Sequence, residues 1–566
     1  MQRKYILVSL LFFGITILYA QKDIYETQPV YPYHLTAEEQ LLMHTLPEKA
    51  QRQATAAPQG PVTSVAEFQP MEGVIIAYLR NHGFGFPIGF VTQLSQITRV
   101  KVLLENASQQ NSVSSSFAQN GVNMSNVDFW MIPHDTYWTR DYGPWFIIDG
   151  NDQVNIMDFT YNRPRPNDDA AMVAMATQLN CTLYAMPMVH TGGNYMSDGY
   201  GTAASTQLVL DENPDETATS LRQIAHEYLG IDQYFFIDDP MDDYIYHIDC
   251  WSKFLAVDKV LVAQVPTTDY RYADYEAAAA VFANAVSPWG NHYQVYRVFE
   301  PGTGSLATPY TNSLILNDHV FVPVAGSQYD DDAIAVYQQA MPGYTIVPVM
   351  QSYFNIWDNT DALHCRTHEI ADRGMLYIKH YPLLGEQEVT DGSVTLTADI
   401  KALSGYSLIT DSLLVYYRIN HAAWQNTALA AVGGSTFEAS LSGLQNLDTV
   451  EYYLFAKDQS GRRECYPYIG AADPHRFVVN GPDAISETQH QPSVLLYPNP
   501  AVDRFVVRGE DLSLLKVYNA MGQLVAEYQL DKQTNNFNCK DWPAGVYYLS
   551  VFTENGVKIS RKLVKL

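Results

Sequence analysis

Short β-rich runs at residues 73–78, 100–104, 259–263 and 319–323 alternate with helix-like stretches at 272–285 and 331–340, and this alternation stops near Tyr381. Beyond Gly385 come strand-like runs alone, at 393–398, 413–418, 437–441 and 450–455, separated by turn signals. The first texture requires an α/β unit and the second a small β-sandwich, so one architecture cannot accommodate both. A chain of 566 residues is in any case too long for a single ordinary domain, and the length favours about three or four units with separate cores. The expected division is a signal peptide at 1–20, an N-terminal linker or pro-segment at 21–61, an α/β unit at 62–385, an immunoglobulin-like β-sandwich at 386–480, a linker at 481–493 and a third β-rich unit at 494–566. No simple internal repeat stands out.

Arg3 and Lys4 precede an apolar run that ends at Tyr19-Ala20-Gln21, the charged, hydrophobic and small-residue order of an export signal. A membrane anchor would need about 20 apolar residues, and this run is shorter. With 34 Lys+Arg against 61 Asp+Glu, the net charge of -27 opposes nucleic acid as a partner; an acidic, soluble surface is the plain reading. Five cysteines, Cys181, Cys250, Cys365, Cys465 and Cys539, are too few for a disulfide scaffold, and their odd number leaves at least one thiol unpaired within the chain.

Cys365 lies in Asp361-Ala-Leu-His-Cys-Arg-Thr-His-Glu369, beside His364, Arg366 and His368, which favour the nucleophilic thiolate. The i, i+4 spacing of His364 and His368 allows zinc as the competing reading, although a fourth ligand is missing. Two acidic motifs, Tyr137-Trp-Thr-Arg-Asp-Tyr-Gly-Pro-Trp145 and Asp243-Tyr-Ile-Tyr-His-Ile-Asp-Cys-Trp251, offer carboxylates. In an extended segment His247 and Asp249 would share one face. Taken singly, these residues favour a structural reading, a buried Arg–Asp pair or a satisfied core histidine, over a catalytic one.

The ordered set Trp138-Thr-Arg-Asp141, Tyr161-Asn-Arg-Pro-Arg-Pro-Asn-Asp168, Thr191-Gly-Gly-Asn-Tyr195, His247-Ile-Asp249, Tyr310-Thr-Asn-Ser313 and Leu363-His-Cys-Arg366 resembles the bacterial, Porphyromonas-type peptidylarginine deiminases of the guanidine-modifying superfamily. That resemblance implies a five-bladed, pseudo-symmetric α/β propeller, the pentein fold. It implies Cys365 as nucleophile, His247 as general acid/base, Asp141 and Asp249 as guanidinium clamps and Asn312 as a supporting residue. For substrate binding it implies Arg163 and Arg165 on the carboxylate of a C-terminal arginine, Trp138 on the aliphatic arm, and Tyr244, Ile245 and Thr360 nearby. Arginine-bearing peptides and proteins would be converted to citrulline and ammonia, with no catalytic cofactor; a structural calcium ion is left open. Gly143-Pro144 is closer to agmatine deiminases, and the bulky run 350–357 stands where the peptidylarginine enzyme is glycine-rich. An agmatine or free-arginine deiminase is therefore the alternative reading, and a surface adhesin with an inactive deiminase-like head is the alternative of another class.

The final unit resembles the C-terminal sorting domain of type IX secretion, through Leu496-Tyr-Pro-Asn-Pro-Ala501, Val517-Tyr-Asn-Ala-Met-Gly522, Pro543-Ala-Gly-Val-Tyr-Tyr-Leu549 and Lys562-Leu-Val-Lys-Leu566. This implies the type IX machinery as a partner, outer-membrane passage, removal of the module and attachment to surface lipopolysaccharide, hence a secreted or cell-surface protein.

Overall fold

The computed structural model describes residues 36, 37, 39, 41, 54–80, 82–241, 245–302, 307–481, 494–509, 511–520, 522–554 and 558–566. The expected signal peptide, most of the 21–61 segment, nearly all of the 481–493 linker and Tyr244 lie outside the described residues. The chain divides into two compact units, Met1–Gly481 and Pro482–Leu566.

In the first unit one connectivity recurs five times. A lead strand pairs antiparallel with a second strand, a helix follows, and a third strand returns parallel to the second. Trp145–Ile148 leads Val154–Tyr161, helix Pro166–Leu179 and Leu183–His190. Met196–Ser197 leads Thr202–Thr206, Ala218–Leu229 and Gln233–Ile237. Ser252–Ala256 leads Lys259–Gln264, Tyr272–Asn284 and Gln294–Phe299. Leu314–Leu316 leads His319–Val324, Asp330–Ala340 and Thr345–Met350. In the remaining sheet the lead strand is His368–Ala371, which returns from nearly three hundred residues downstream to pair with Met71–Ala77; helix Ile88–Ile97 and Arg99–Leu104 complete the repeat, and Val127–Met131 adds a fourth strand parallel to Arg99–Leu104. Parallel strands need such helical crossovers, and burial on both faces accounts for the apolar runs in the second strands.

The turn before each lead strand has a common position in the repeat. These turns are Thr139–Tyr142, Gly192–Asn194, Ile248–Cys250, and the segments 310–313 and 363–367. Five sequence-distant segments thereby occupy equivalent places at the strand starts.

Leu376–His380, assigned above to the α/β unit, pairs with Ser393–Ala402 and belongs to the following β region. The change of architecture thus falls before Leu376, about ten residues ahead of the expected boundary. Two sheets make up this region. One runs Leu376–His380, Ser393–Ala402, Thr436–Ser442, Ala430–Gly433; the other has Thr449–Lys457 at its centre, flanked by Leu414–Ile419 and His475–Asn480. Leu396, Ala398 and Ile400 alternate inward with the strand period of two and join a core that also contains Tyr452, Phe477, Val262 and Tyr337. The β region and the α/β repeats therefore share one core. Arg462 adds a bidentate pair to Asp372, with both bonds 2.8 Å.

The second unit has its own core of Phe505, Val507, Leu515, Val517, Leu549 and Val551. A chain ending at residue 481 should keep a cooperative thermal transition, whereas a chain ending at residue 385 should aggregate or lose that transition, because it strips strands and core from one continuous unit. Calorimetry and size-exclusion chromatography of both truncations check this; a soluble, cooperative 385-residue chain would contradict the shared core.

Candidate active site

Arg140 and Asp141 are neighbours in the turn Thr139–Tyr142, yet they do not pair. The Arg140 guanidinium makes a fork to Glu369, 2.9 Å from Nη1 to Oε1 and 2.6 Å from Nη2 to Oε2. Asp141 is left buried with Oδ1 lacking a hydrogen-bond partner, and its closest basic group is His247 Nδ1 at 3.6 Å. Both ring nitrogens of His247 are also buried without a hydrogen-bond partner. His247 leads into the 3-10 turn Ile248–Cys250, so the extended, shared-face geometry expected for His247 and Asp249 is replaced by a tight turn that still carries both into the site.

Asn312 joins the last two turns. Its Nδ2 donates to Asp249 Oδ2 and lies within hydrogen-bond reach of Cys365 Sγ, each at 3.2 Å. Its Oδ1 accepts the backbone N–H groups of Ala362 and His364 at 3.1 Å and of Cys365 at 3.3 Å. One amide thus uses donor and acceptor together to hold the cysteine loop against Asp249. Cys365 Sγ is 3.6 Å from Asp249 Oδ2. Gly193 lines the same space: a Cβ there would lie 2.6 Å from His247 Nδ1, 2.8 Å from Asp141 Oδ1 and 3.3 Å from Asp249 Oδ1. The turn requires glycine because the three groups crowd that point.

The electrostatics separate these groups. Burial pushes the Asp141 carboxyl up to about 7, with the neighbouring Asp249 charge adding to the rise and Arg163 and Arg165 opposing it. Burial acts on Asp249 too, but the His364 hydrogen bond and charge outweigh it and hold that carboxyl below its ordinary value. Burial drives His247 down to about 3, against the pull of Asp249. A hydrogen bond with Cys250 lowers the Cys365 thiol, but burial and the carboxylates of Asp249, Asp361 and Asp141 prevail and push it up to about 11. The result is a neutral imidazole, a protonated thiol and carboxylate acceptors around one space, an arrangement that favours a cation rich in N–H donors.

His364 and His368 do not present a helical i, i+4 pair, because no helix forms there. His364 bridges Asp249 and Glu67, and His368 sits in a strand with Nδ1 2.8 Å from the Glu369 carbonyl. Arg163 and Arg165 are buried, and Arg165 lies with Cζ 5.3 Å from the Trp138 ring centre. Arg165 Nε donates to a carboxylate, Glu39 Oε1, at 2.9 Å. Thr360 contributes its carbonyl, 3.7 Å from Cys365 Sγ and 3.6 Å from Cys250 Sγ. Ile245 is buried in the core cluster that the α/β repeats share with the β region. Among the bulky residues before the cysteine, Trp357 is buried and stacks on Arg366, whose guanidinium also grips Asp361, whereas Tyr353, Phe354 and Ile356 are exposed. Sequence reasoning missed Glu39, Glu67, Cys250 and the steric role of Gly193. Glu67 had one signal, a lone acid inside Val65-Ala66-Glu67-Phe68.

Residues 86–370, just over half of the chain, match the Porphyromonas-type peptidyl-arginine deiminase family, and residues 495–566 match the secretion system C-terminal sorting domain. A provisionally named agmatine deiminase of Shewanella baltica is 26% identical over 271 residues, 41% of this chain and 73% of that relative. One of Yersinia pestis is 25% identical over 284 residues, 44% of this chain and 77% of the relative. A solved structure of another provisionally named agmatine deiminase, 18% identical, superposes with a TM-score of 0.50 over 55% of this chain and 96% of its own, a likeness of fold. Fold and site together define a hydrolase acting on guanidine groups. The chain belongs to the Porphyromonas-type peptidyl-arginine deiminase family. Its sorting domain marks it for secretion or the cell surface, and among the described residues no helix is long and apolar enough to cross a membrane.

Gly193→Ala should displace His247 and Asp141 and lower ammonia release by about a hundredfold, the scale of an ångström-level misplacement of reacting groups, with little change in melting temperature. Steady-state ammonia assays and thermal melts test it; normal turnover would mean that the crowded point is not used.

Proposed function

We propose that the protein converts peptidyl arginine, preferentially at a peptide C-terminus, to citrulline and ammonia through a covalent intermediate on Cys365. The observation that carries this reading is the convergence of Cys365, Asp249, Asp141 and His247 on one space, with His247 and an Asp141 oxygen buried and without hydrogen-bond partners. A guanidinium supplies the N–H donors that Asp141 and Asp249 accept. Its positive charge offsets the carboxylates that hold the thiol proton, so substrate binding itself favours ionisation of Cys365, with His247 taking that proton.

Sγ then bonds to the guanidinium carbon, His247 gives the proton to one nitrogen, and the C–N bond breaks to release ammonia. The amidino-thioether left on Cys365 is attacked by water, whose proton passes to His247; the C–S bond breaks, the thiolate leaves and citrulline forms. The chain's own residues suffice for each step, so metal chelation is expected to spare turnover. The five repeats are read as the blades of a pseudo-fivefold propeller, a reading supported by the pairing of His368–Ala371 with Met71–Ala77. Residues 376–480 are read as immunoglobulin-like. The N-terminal apolar run and the sorting domain support export by type IX secretion, with lipopolysaccharide as the surface anchor.

Agmatine is the alternative substrate, favoured by the relatives at 25–26% identity. The two substrates differ in that agmatine has no carboxylate. Arg165 already holds the carboxylate of Glu39, and Arg163 exerts its charge on the same pocket. This supports the pair as the subsite for a substrate's C-terminal carboxylate, with Glu39 competing for it.

Cys365→Ala should abolish citrulline formation without loss of fold. Peptides ending in arginine should outcompete their C-terminal amides, and the Arg163→Ala, Arg165→Ala double variant should erase most of that preference. Loss of a charge-assisted bond costs about 1.5–3 kcal/mol, roughly ten- to a hundredfold in kcat/KM. Glu39→Gln should raise kcat/KM for free-carboxylate peptides more than for amides. A wild type that favours agmatine or amides would overturn the C-terminal-arginine reading.

The pH dependence follows from Asp141. Because its carboxyl sits near 7, the clamp is lost as pH falls through that value, so kcat/KM should decline on the acid side of about 7 rather than in the ordinary carboxylate range. Asp141→Asn should lower activity and remove that inflection. An acid limb unchanged by the substitution would assign it to another group.

A further inference from the structure

Two neighbouring buried carboxylates cannot both ionise cheaply, yet Asp249 is held low while Asp141 is pushed up. The difference lies in what bonds to Asp249 Oδ2. His364 Nδ1 is 2.6 Å from Asp249 Oδ2, and its Nε2 is 2.7 Å from Glu67 Oε1. A carboxylate only accepts hydrogen bonds, so an imidazole between two of them donates from both nitrogens and carries a positive charge. Burial alone would neutralise Glu67, but the charges of His364, Lys253 and Arg140 hold it well below the ordinary range. Lys253 Nζ is 2.8 Å from Glu67 Oε2 and Arg140 Nη1 is 3.6 Å from Glu67 Oε1, while Arg140 is itself forked to Glu369. The buried chain therefore runs Asp249, His364, Glu67, Lys253 and Arg140, Glu369, with signs alternating.

We propose that His364, backed by Glu67, is a positioning residue for deimination: a charged bridge that fixes the Asp249 carboxylate in one rotamer and keeps it ionised, so that the two clamping carboxylates differ. In this arrangement Asp249 is a permanent anion and Asp141 the titrating one. His364 has neither ring nitrogen free, because both are engaged by carboxylates, so the general acid/base role falls to His247, whose nitrogens are unengaged. The proposal rests on the assignment of Asp249 and Asp141 as clamps.

The groups facing Asp249 are His364, His247, Lys253, Asn312, Cys250, Cys365, Asp141 and Arg140, and of these only His364 makes a charged hydrogen bond to it. Removing the His364 charge should raise the Asp249 carboxyl, so that a second acid-side titration joins that of Asp141 and steepens the acid limb of kcat/KM. A His364→Gln variant, which retains a donor without the charge, should lose about tenfold more activity on the acid side than on the alkaline side for each unit of that rise. A loss equal at all pH values would overturn the proposal and reduce His364 to a packing group.

A second measurement uses the wild-type protein and does not depend on the variant's folding. In nitrogen-labelled histidine NMR of the full chain at neutral pH, with the signal assigned by its loss in His364→Gln or by through-space contacts, both ring nitrogens of His364 should be protonated and those of His247 should show a neutral ring. A neutral His364 would overturn the bridge. Asp249→Asn in parallel separates the two readings: near-normal kinetics in that variant would remove the clamp assignment, whatever the charge of His364.

Discussion

Asp141 and Asp249 are buried together beside the Cys365 thiol, and the catalytic unit is organised around what that burial demands. Charge removed from water at this depth must be balanced, and breaking one buried pair typically costs about 3–5 kcal/mol. Arg140 does not balance Asp141, its neighbour in sequence; it turns to Glu369. Lys253 and His364 compensate Glu67 and Asp249. What remains is one carboxylate near its titration point, a thiol held protonated by the surrounding anions, and a neutral imidazole. Such a pocket is relaxed by a cation that brings hydrogen-bond donors, and in the proposed reaction that cation is the substrate.

The fold brings these groups together by repetition. Each strand–strand–helix–strand repeat begins with a short turn, and five such turns supply Asp141, Gly193, His247 with Asp249, Asn312, and Cys365. Turns bonded to rigid strands position side chains better than long loops do. The pairing of His368–Ala371 with Met71–Ala77 joins residues nearly three hundred positions apart and anchors the turn that carries Cys365.

Individual elements were legible in the sequence where apolar, β-branched or alanine-rich runs were long. The expected strand at 259–263 is Lys259–Gln264, and the expected helix at 331–340 is Asp330–Ala340. The repeat was not legible, because its lead strands run from only two residues at Met196–Ser197 to five at Ser252–Ala256 and share no residue pattern. Leu376–His380 carries no mark of which sheet it joins, hence the misplaced boundary. The motifs brought His247 and Asp249 to attention while the period-two argument gave them the wrong backbone. Glu67 and Glu39 lay outside every motif: their partners, His364 and Arg165, are 297 and 126 positions away.

The central claim is that Cys365 bonds to the guanidine carbon of the substrate as ammonia leaves. Rapid-quench mass spectrometry of the intact protein turning over a slow arginine substrate, followed by peptide mapping, tests it most directly. An adduct on the Cys365 peptide with the mass of the substrate less ammonia, appearing before citrulline and decaying as citrulline accumulates, is the predicted result. An adduct on Cys250 or another cysteine, or citrulline formed at full rate with no adduct at all, would contradict the account.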